Sequence, residues 1–367
     1  MNQYAVLHVD LGRTFRGGQR QAYNLIRYLK ENGIDSGCVV TSESELGSRL
    51  NEIGIPTFPI KYGGFDIVAE SIRLRKVCSE MGYNMIHAHD SHGHNIALTL
   101  RFLNPALRVI VTRRVLSGKS KVLMSRWKYT SRNTDLFIAV SSVVENELLQ
   151  WGVSDSRVVH IPSGVDTKYF TLVDADEFKK RNSIPDRKFY IGTACAFDEN
   201  KDVATLINMA GKLSYNYDDF ILLVAGTGEG RGSLERLARF IEAEDKIRFL
   251  GQVSEMPQFY SLLDVYVLSS RAEGLGTSLL EAGACGCALV ASDCGGPRDF
   301  IDDGRTGYLF PVEDDERLFR IVNELLEDRG KRERVAKSFA ETLDQYDMDH
   351  VCRQVMTHYN RLAMLVG

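Results

Sequence analysis

At 367 residues the chain is longer than a single hydrophobic core commonly fills, so two domains are expected. With 44% apolar and 26% charged residues it has a globular composition, and its net charge of −4 argues against nucleic acid as a partner. No run approaches the ~20 apolar residues of a membrane span, the start Met1-Asn2-Gln3-Tyr4 lacks the basic segment of a signal peptide, and the seven cysteines make no disulfide framework. A cytoplasmic protein with buried thiols is expected, with Cys285, Cys287 and Cys294 in apolar runs rather than on a metal.

The chain opens with an apolar strand, Tyr4 to Val9, a loop ending in Gly17-Gly18-Gln19, and a helix with Ala22, Leu25, Ile26 and Leu29 on one face, closed by Gly33. Glycines at a helix start let backbone N–H groups approach a phosphate or an acceptor hydroxyl. Further strands are predicted at 38–40, 57–60, 85–88, 109–112, 136–140 and 158–161, with helical patterns between them. Such alternation gives a parallel sheet covered on both faces, with ligands at the carboxyl ends of its strands.

Two polar clusters follow those strands. His87, His89, His92 and His94 crowd eight residues with Asp90, which offers a reading as a metal-dependent hydrolase, but Asp90 comes one position too early for that hydrolase motif. Arg113 and Arg114 close the next strand, as acceptor-side or anion-binding groups or as solvated arginines. From Ser91 to Thr134 the chain carries nine Lys or Arg and no Asp or Glu, a basic stretch containing Trp127 and Tyr129. It reads either as a solvated face or as one that meets an anionic membrane.

The polar segment 167–186 marks the domain boundary, and a second alternating series follows, with strands at 190–194, 220–225, 247–250, 264–268, 288–291 and 308–310. Gly226-x-Gly228-x-Gly230 follows a strand, but Arg231 stands where a dinucleotide loop needs its third glycine, which discounts an oxidoreductase. The most informative stretch runs from Glu273 through Gly274-Leu275-Gly276-Thr277-Ser278 to Glu281: strand, glycine loop, helix. Thr277 and Ser278 read as N-cap residues, so Ser278-x-x-Glu281 is either a plain capping box or a phosphate-facing helix start with Glu281 one turn in, free to accept from a sugar diol. Near the end, Val351, Val355, Tyr359 and Leu362 make a helical stripe.

The Glu273-x7-Glu281 spacing, its flanks Val267-Leu268-Ser269-Ser270 and Gly295-Gly296-Pro297, and the segment Ile161-Pro162-Ser163-Gly164-Val165-Asp166 resemble glycosyltransferase family 4, the retaining nucleotide-sugar enzymes of the B fold. The resemblance implies an α/β protein of two Rossmann-like domains facing a central cleft. Residues 1–165 would form the acceptor side, joined by a returning helix at about 346–367, and 166–345 would bind the donor. It implies Glu281 on the ribose, Glu273 on donor hydroxyls, His89 beside the reacting sugar, and Lys201 on the diphosphate. Gly17, Gly18, Gly274, Leu275, Gly276, Thr277 and Arg231 complete the implied donor contacts. Ala196 replaces an arginine the family commonly carries. No cofactor and no metal are expected, the co-substrate being a nucleotide-diphosphate sugar, with a glycan or lipid-linked acceptor, as in cell-envelope or lipopolysaccharide synthesis. A nucleotide-sugar epimerase on the same fold is the alternative.

Overall fold

The computed structural model describes residues 4–61, 66–116 and 128–364. Lys119, Lys121, Arg126 and Trp127 of the basic stretch lie outside the described residues. The chain divides into two compact units, Met1–Gly164 with Met348–Gly367, and Val165–Asp347.

The first unit holds seven strands: β1 (Val6–Val9), β2 (Ser36–Thr41), β3 (Thr57–Ile60), β4 (Met85–Ala88), β5 (Arg108–Arg113), β6 (Leu136–Ala139) and β7 (Val158–His160). They pair in the order β3-β2-β1-β4-β5-β6-β7, every pair parallel. Short runs buried on both faces, such as the Leu136-Phe137-Ile138-Ala139 of β6, are what a parallel sheet under helices requires. The Met348–Met364 helix belongs to this unit, where Val351, Val355, Tyr359 and Leu362 pack with Tyr4, Val6, Leu29, Ile110 and Ile138. The apolar stripe seen in the sequence is therefore a core face.

The second unit holds β8 (Phe189–Ala194), β9 (Phe220–Ala225), β10 (Ile247–Gly251), β11 (Val265–Leu268), β12 (Ala288–Ser292) and β13 (Tyr308–Phe310). Their order is β10-β9-β8-β11-β12-β13, again all parallel. Each predicted strand is present, with ends shifted by a residue or two. Asp264 stands just outside β11 and pairs there with Tyr190, whose N–H its carboxylate accepts at 2.9 Å.

In both sheets the order reverses beside the first strand, between β1 and β4 and between β8 and β11. Chains leaving two such neighbours cross to opposite faces, which opens a notch at their carboxyl ends. The glycine series after β9 serves the second notch through packing. Gly226 has φ +133°, and a β-carbon there would overlap the carbonyl oxygen of Cys195, while one on Gly228 would come within 2.7 Å of the Phe197 backbone. Gly226→Ala should therefore cost about 2–4 kcal/mol from overlap and strain together. Gly232→Ala, on the Arg231–Phe240 helix with only Arg236 Nη1 nearby at 3.6 Å, should be neutral or stabilise by up to about 1 kcal/mol. Urea melts of the two variants would show opposite or clearly unequal shifts in midpoint.

Candidate active site

In the second unit two loops meet at the notch. The loop after β8 turns through Glu199–Lys201, where Asp198 accepts the Lys201 N–H at 3.1 Å. The loop after β11 is tied to it by the Arg271 N–H donating to Asn200 O (2.7 Å), Asn200 Nδ2 to Ala272 O (2.8 Å) and Ser269 Oγ to Lys201 O (2.9 Å). Lys201 Nζ then lies 2.6 Å from Glu273 Oε2, which also accepts from Ser270 Oγ at 3.1 Å. Burial works against the Lys201 charge, yet Glu273 more than offsets it and holds the ammonium above the ordinary lysine range.

Gly274, Leu275 and Gly276 are buried, and Gly276 has φ +88°, a left-handed turn that aims the Thr277–Ala284 helix. The helix start differs from the sequence expectation. Gly276 is its N-cap and no side chain caps it, because the left-handed turn already places Thr277 and Ser278 inside the first turn, where they cannot cap. Glu281 is thus not the far end of a capping box. It is half-buried on that helix, and Oε2 accepts from the Tyr260 hydroxyl at 3.0 Å. Arg231 pairs within its own helix with Glu235 at 2.8 Å, so its guanidinium is already engaged there.

In the first unit His8 of β1 and His89, which follows β4, stack and share a hydrogen bond of 2.9 Å between Nδ1 and Nε2. His87 is held by the Tyr359 hydroxyl on Nδ1 (2.5 Å) and by Thr112 Oγ1 on Nε2 (2.7 Å). His92 is exposed on the Ser91–Leu103 helix, and His94 is buried against Thr134 Oγ1 at 3.0 Å. The His87–His94 run therefore does not converge, and the three histidine rings that do, each with one nitrogen within 4.8 Å of the others, are His8, His87 and His89. They fit a divalent cation poorly: both His87 nitrogens are engaged, and the positive charge of Arg114 bears on His87 and His89. Asp90 caps its helix and accepts the Leu11 N–H at 2.5 Å, which holds the loop leading to Gly17 and Gly18 against the end of β4.

Residues 15–169 match the family model described as Glycosyltransferase Family 4, and residues 174–341 the model described as Glycosyl transferases group 1. The chain belongs to the group 1 glycosyltransferases of family 4. It is 22% identical to the N-acetyl-alpha-D-glucosaminyl L-malate synthase of Bacillus anthracis, over 84% of this chain and 83% of that one. It is 29% identical to the sulfoquinovosyl transferase SQD2 of Arabidopsis thaliana, over 90% and 68%. Its fold matches that of Anabaena HepE in complex with UDP and glucose, with a TM-score of 0.88 at 16% identity, covering 98% of this chain and all of that one. The enzyme is a glycosyltransferase with the two Rossmann-like sheets of the B fold.

Within this glycosyltransferase the notch of the second unit brings Lys201, Glu273 and the Gly274–Thr277 turn together, and that of the first unit brings His89 together with His8 and His87. Arg113 is drawn away. Its guanidinium donates to the Tyr129 hydroxyl at 2.6 Å, pairs with Glu147 at 3.5 Å and lies over the Tyr129 and Trp151 rings. Arg101 and Arg108 pair with Asp135 at 3.7 and 3.1 Å, and Tyr129 is buried, so part of the basic stretch is neutralised inside the unit and Tyr129 is no membrane-facing residue. The sequence reading gave no site role to His8, Tyr359, Ser270 or Tyr260, although Tyr359 stood in the helical stripe, Ser270 in the family-like flank, and His8 was the one polar letter inside Val6–Val9.

The buried histidines set a pH dependence. Burial pushes His8 down to about 3. Burial also holds His87, His89 and His94 well below the ordinary histidine range, and neighbouring positive charges add to it. An unfolded chain takes up these protons near pH 6.5 and the native one does not, so stability is full above that pH and lost as the pH falls below it, by up to about 1.4 kcal/mol per pH unit for each histidine. Denaturation midpoints should drop steeply between pH 7 and 5. A flat profile over that interval would contradict the neutral, buried state of the cluster.

Proposed function

We propose that the enzyme transfers a sugar from a nucleoside-diphosphate sugar to a hydroxyl acceptor, with retention at the anomeric carbon and without a metal, in the synthesis of a cell-envelope glycan or glycolipid. The observation that carries this reading is the Lys201–Glu273 pair set beside the Gly274–Thr277 turn and Glu281 at the switch point of the second sheet. HepE with UDP and glucose supports the donor class, and the 26% identical phosphatidyl-myo-inositol mannosyltransferase of Mycobacterium leprae supports a lipid acceptor.

On this reading Glu281 accepts from the ribose diol and Glu273 from hydroxyls of the donor sugar. The acceptor oxygen bonds to the anomeric carbon as the bond to the diphosphate breaks, and the acceptor proton passes to the leaving phosphate oxygen. Lys201 and the N–H groups of Gly276 and Thr277 take up the charge that develops there, and the Gly17 and Gly18 N–H groups, which the resemblance also gives to the diphosphate, are not needed for it. His89, neutral through the physiological range, offers a ring nitrogen to a sugar hydroxyl. The two Asp-x-Asp spacings have other partners: Asp174 accepts from the Asp176 N–H at 2.8 Å, and Asp347 accepts from Thr167 Oγ1 at 2.6 Å.

Glu281→Gln keeps the side-chain shape and removes the charge. Donor Kd should rise about ten- to hundred-fold while the melting temperature holds, since hydrogen bonds to a charged acceptor are worth about 1.5–3 kcal/mol. Calorimetric titration with UDP-sugars measures this, and an unchanged Kd would remove Glu281 from the donor site.

Turnover should continue in excess EDTA, and the new glycoside should keep the donor's anomeric configuration in its NMR coupling constants. Inversion would exclude the roles given to Glu273 and Glu281, and loss of activity restored by zinc would turn attention to His8, His87 and His89.

A further inference from the structure

Arg114 follows β5 at the notch of the first unit, and its guanidinium Nε and Nη1 are buried with no hydrogen-bond partner among the described residues. Its neighbour Arg113 shows the contrast, having a hydroxyl, a carboxylate and two aromatic rings. Acidic groups are near enough to be felt, Asp10 and Asp90 among them, yet neither bonds to it: Asp10 accepts from Gly12 N and Gln19 Nε2, and Asp90 from Leu11, His92 and Gly93 N–H groups. Burial pushes the guanidinium down to about 10, and Asp10, Tyr359 and Asp90 offset this only in part.

A buried charge without a partner is costly, and proteins tolerate one where a ligand completes it. The surroundings suit an anion. The Gly17–Glu31 helix starts beside Arg114, with no acidic residue in its first turn. A β-carbon on Gly18 would meet only the Arg114 Cδ, at 3.8 Å, so the backbone at the helix start passes directly over this side chain.

We propose that Arg114, with the start of the Gly17–Glu31 helix that the family resemblance gives to the donor, binds instead a carboxylate or phosphate carried by the acceptor, so that the acceptor is an anionic hydroxy compound rather than a neutral sugar. The planar guanidinium fork matches both oxyanions, and the helix start adds its dipole. That the ligand is the acceptor rests on the transferase reading; that the site takes an anion does not.

The test uses the full-length protein, with inorganic phosphate and malate as anionic probes and glycerol as the neutral one. Phosphate or malate should raise the wild-type melting temperature and glycerol should not. In Arg114→Gln the anion Kd should rise about ten- to hundred-fold, with Kd for a UDP-sugar unchanged and the unliganded protein no less stable. Loss of UDP-sugar affinity in the variant would overturn the proposal by assigning the guanidinium to the donor, and so would a wild-type protein indifferent to both anions. Should Arg114→Gln fail to fold, Arg114→Lys keeps a charge without the fork, and an unchanged anion Kd there would equally overturn the proposal. If no nucleotide sugar binds the wild type while the anion response and its loss persist, the transferase reading fails and the anion site stands.

Discussion

The constraint on which both units depend is the reversal of strand order, between β1 and β4 and between β8 and β11. Parallel neighbours with right-handed crossovers to opposite faces leave their carboxyl-end loops diverging, so that backbone and polar side chains there have no sheet to complete. Every group given a role stands at or near such an end. Asp10 and His89 follow β1 and β4, Lys201 follows β8, and Glu273 follows β11. Elsewhere the same sheets are closed by apolar side chains, such as Leu206, Leu222 and Val265 in the second unit, which are almost wholly shielded from water.

The two notches solve the problem of burying polarity in different ways. In the second unit opposite charges meet, and Lys201 and Glu273 each remain partly open to solvent, which leaves the pair able to exchange one another for a ligand at small cost. In the first unit desolvation dominates. His8, His87 and His89 bond to one another, to Thr112 and to Tyr359 rather than to a carboxylate, and burial keeps them neutral, as hydrogen-bonding groups rather than acids. A neutral imidazole cluster tolerates one nearby cation, Arg114, better than protonated rings would, because each added proton would repel it.

Much of this was legible in the sequence because parallel strands buried on both faces are written as short continuous apolar runs; ten of the thirteen strands are largely buried, and the outer strands β3, β7 and β10, exposed in part, still keep short apolar runs. The glycine loop and its two glutamates were legible for a similar reason, since a left-handed turn such as Gly276 leaves few other residue choices. What escaped was set by pairings distant along the chain. Tyr359 reaches His87 across 272 positions, and Tyr260 reaches Glu281 from another helix. Adjacent strand-end residues also point to opposite faces, so Arg113 and Arg114 read as one pair of letters and are two unrelated side chains, one engaged with Glu147 and one whose Nε and Nη1 have no partner among the described residues. The glycines at 226, 228 and 230 resembled a ligand loop and proved to be a packing surface for the Phe197 backbone.

That packing surface bears on the absent arginine at position 196. The segment 195–197 is pressed between glycines that allow no β-carbon, and immediately after it Lys201 is fixed by the Asp198 cap, by Ser269 and by the Asn200–Arg271 contact. A lysine side chain ordinarily loses considerable rotamer freedom when it engages an anion. Here the backbone is fixed already, and Glu273 holds the ammonium in a partly desolvated place. Where one of two cations is missing, the remaining one does more if it is positioned beforehand, because the electrostatic term then acts without reorganisation as charge develops. If Lys201 meets the donor diphosphate as proposed, the hydrogen-bonded 195–201 loop is the feature through which this chain compensates for Ala196.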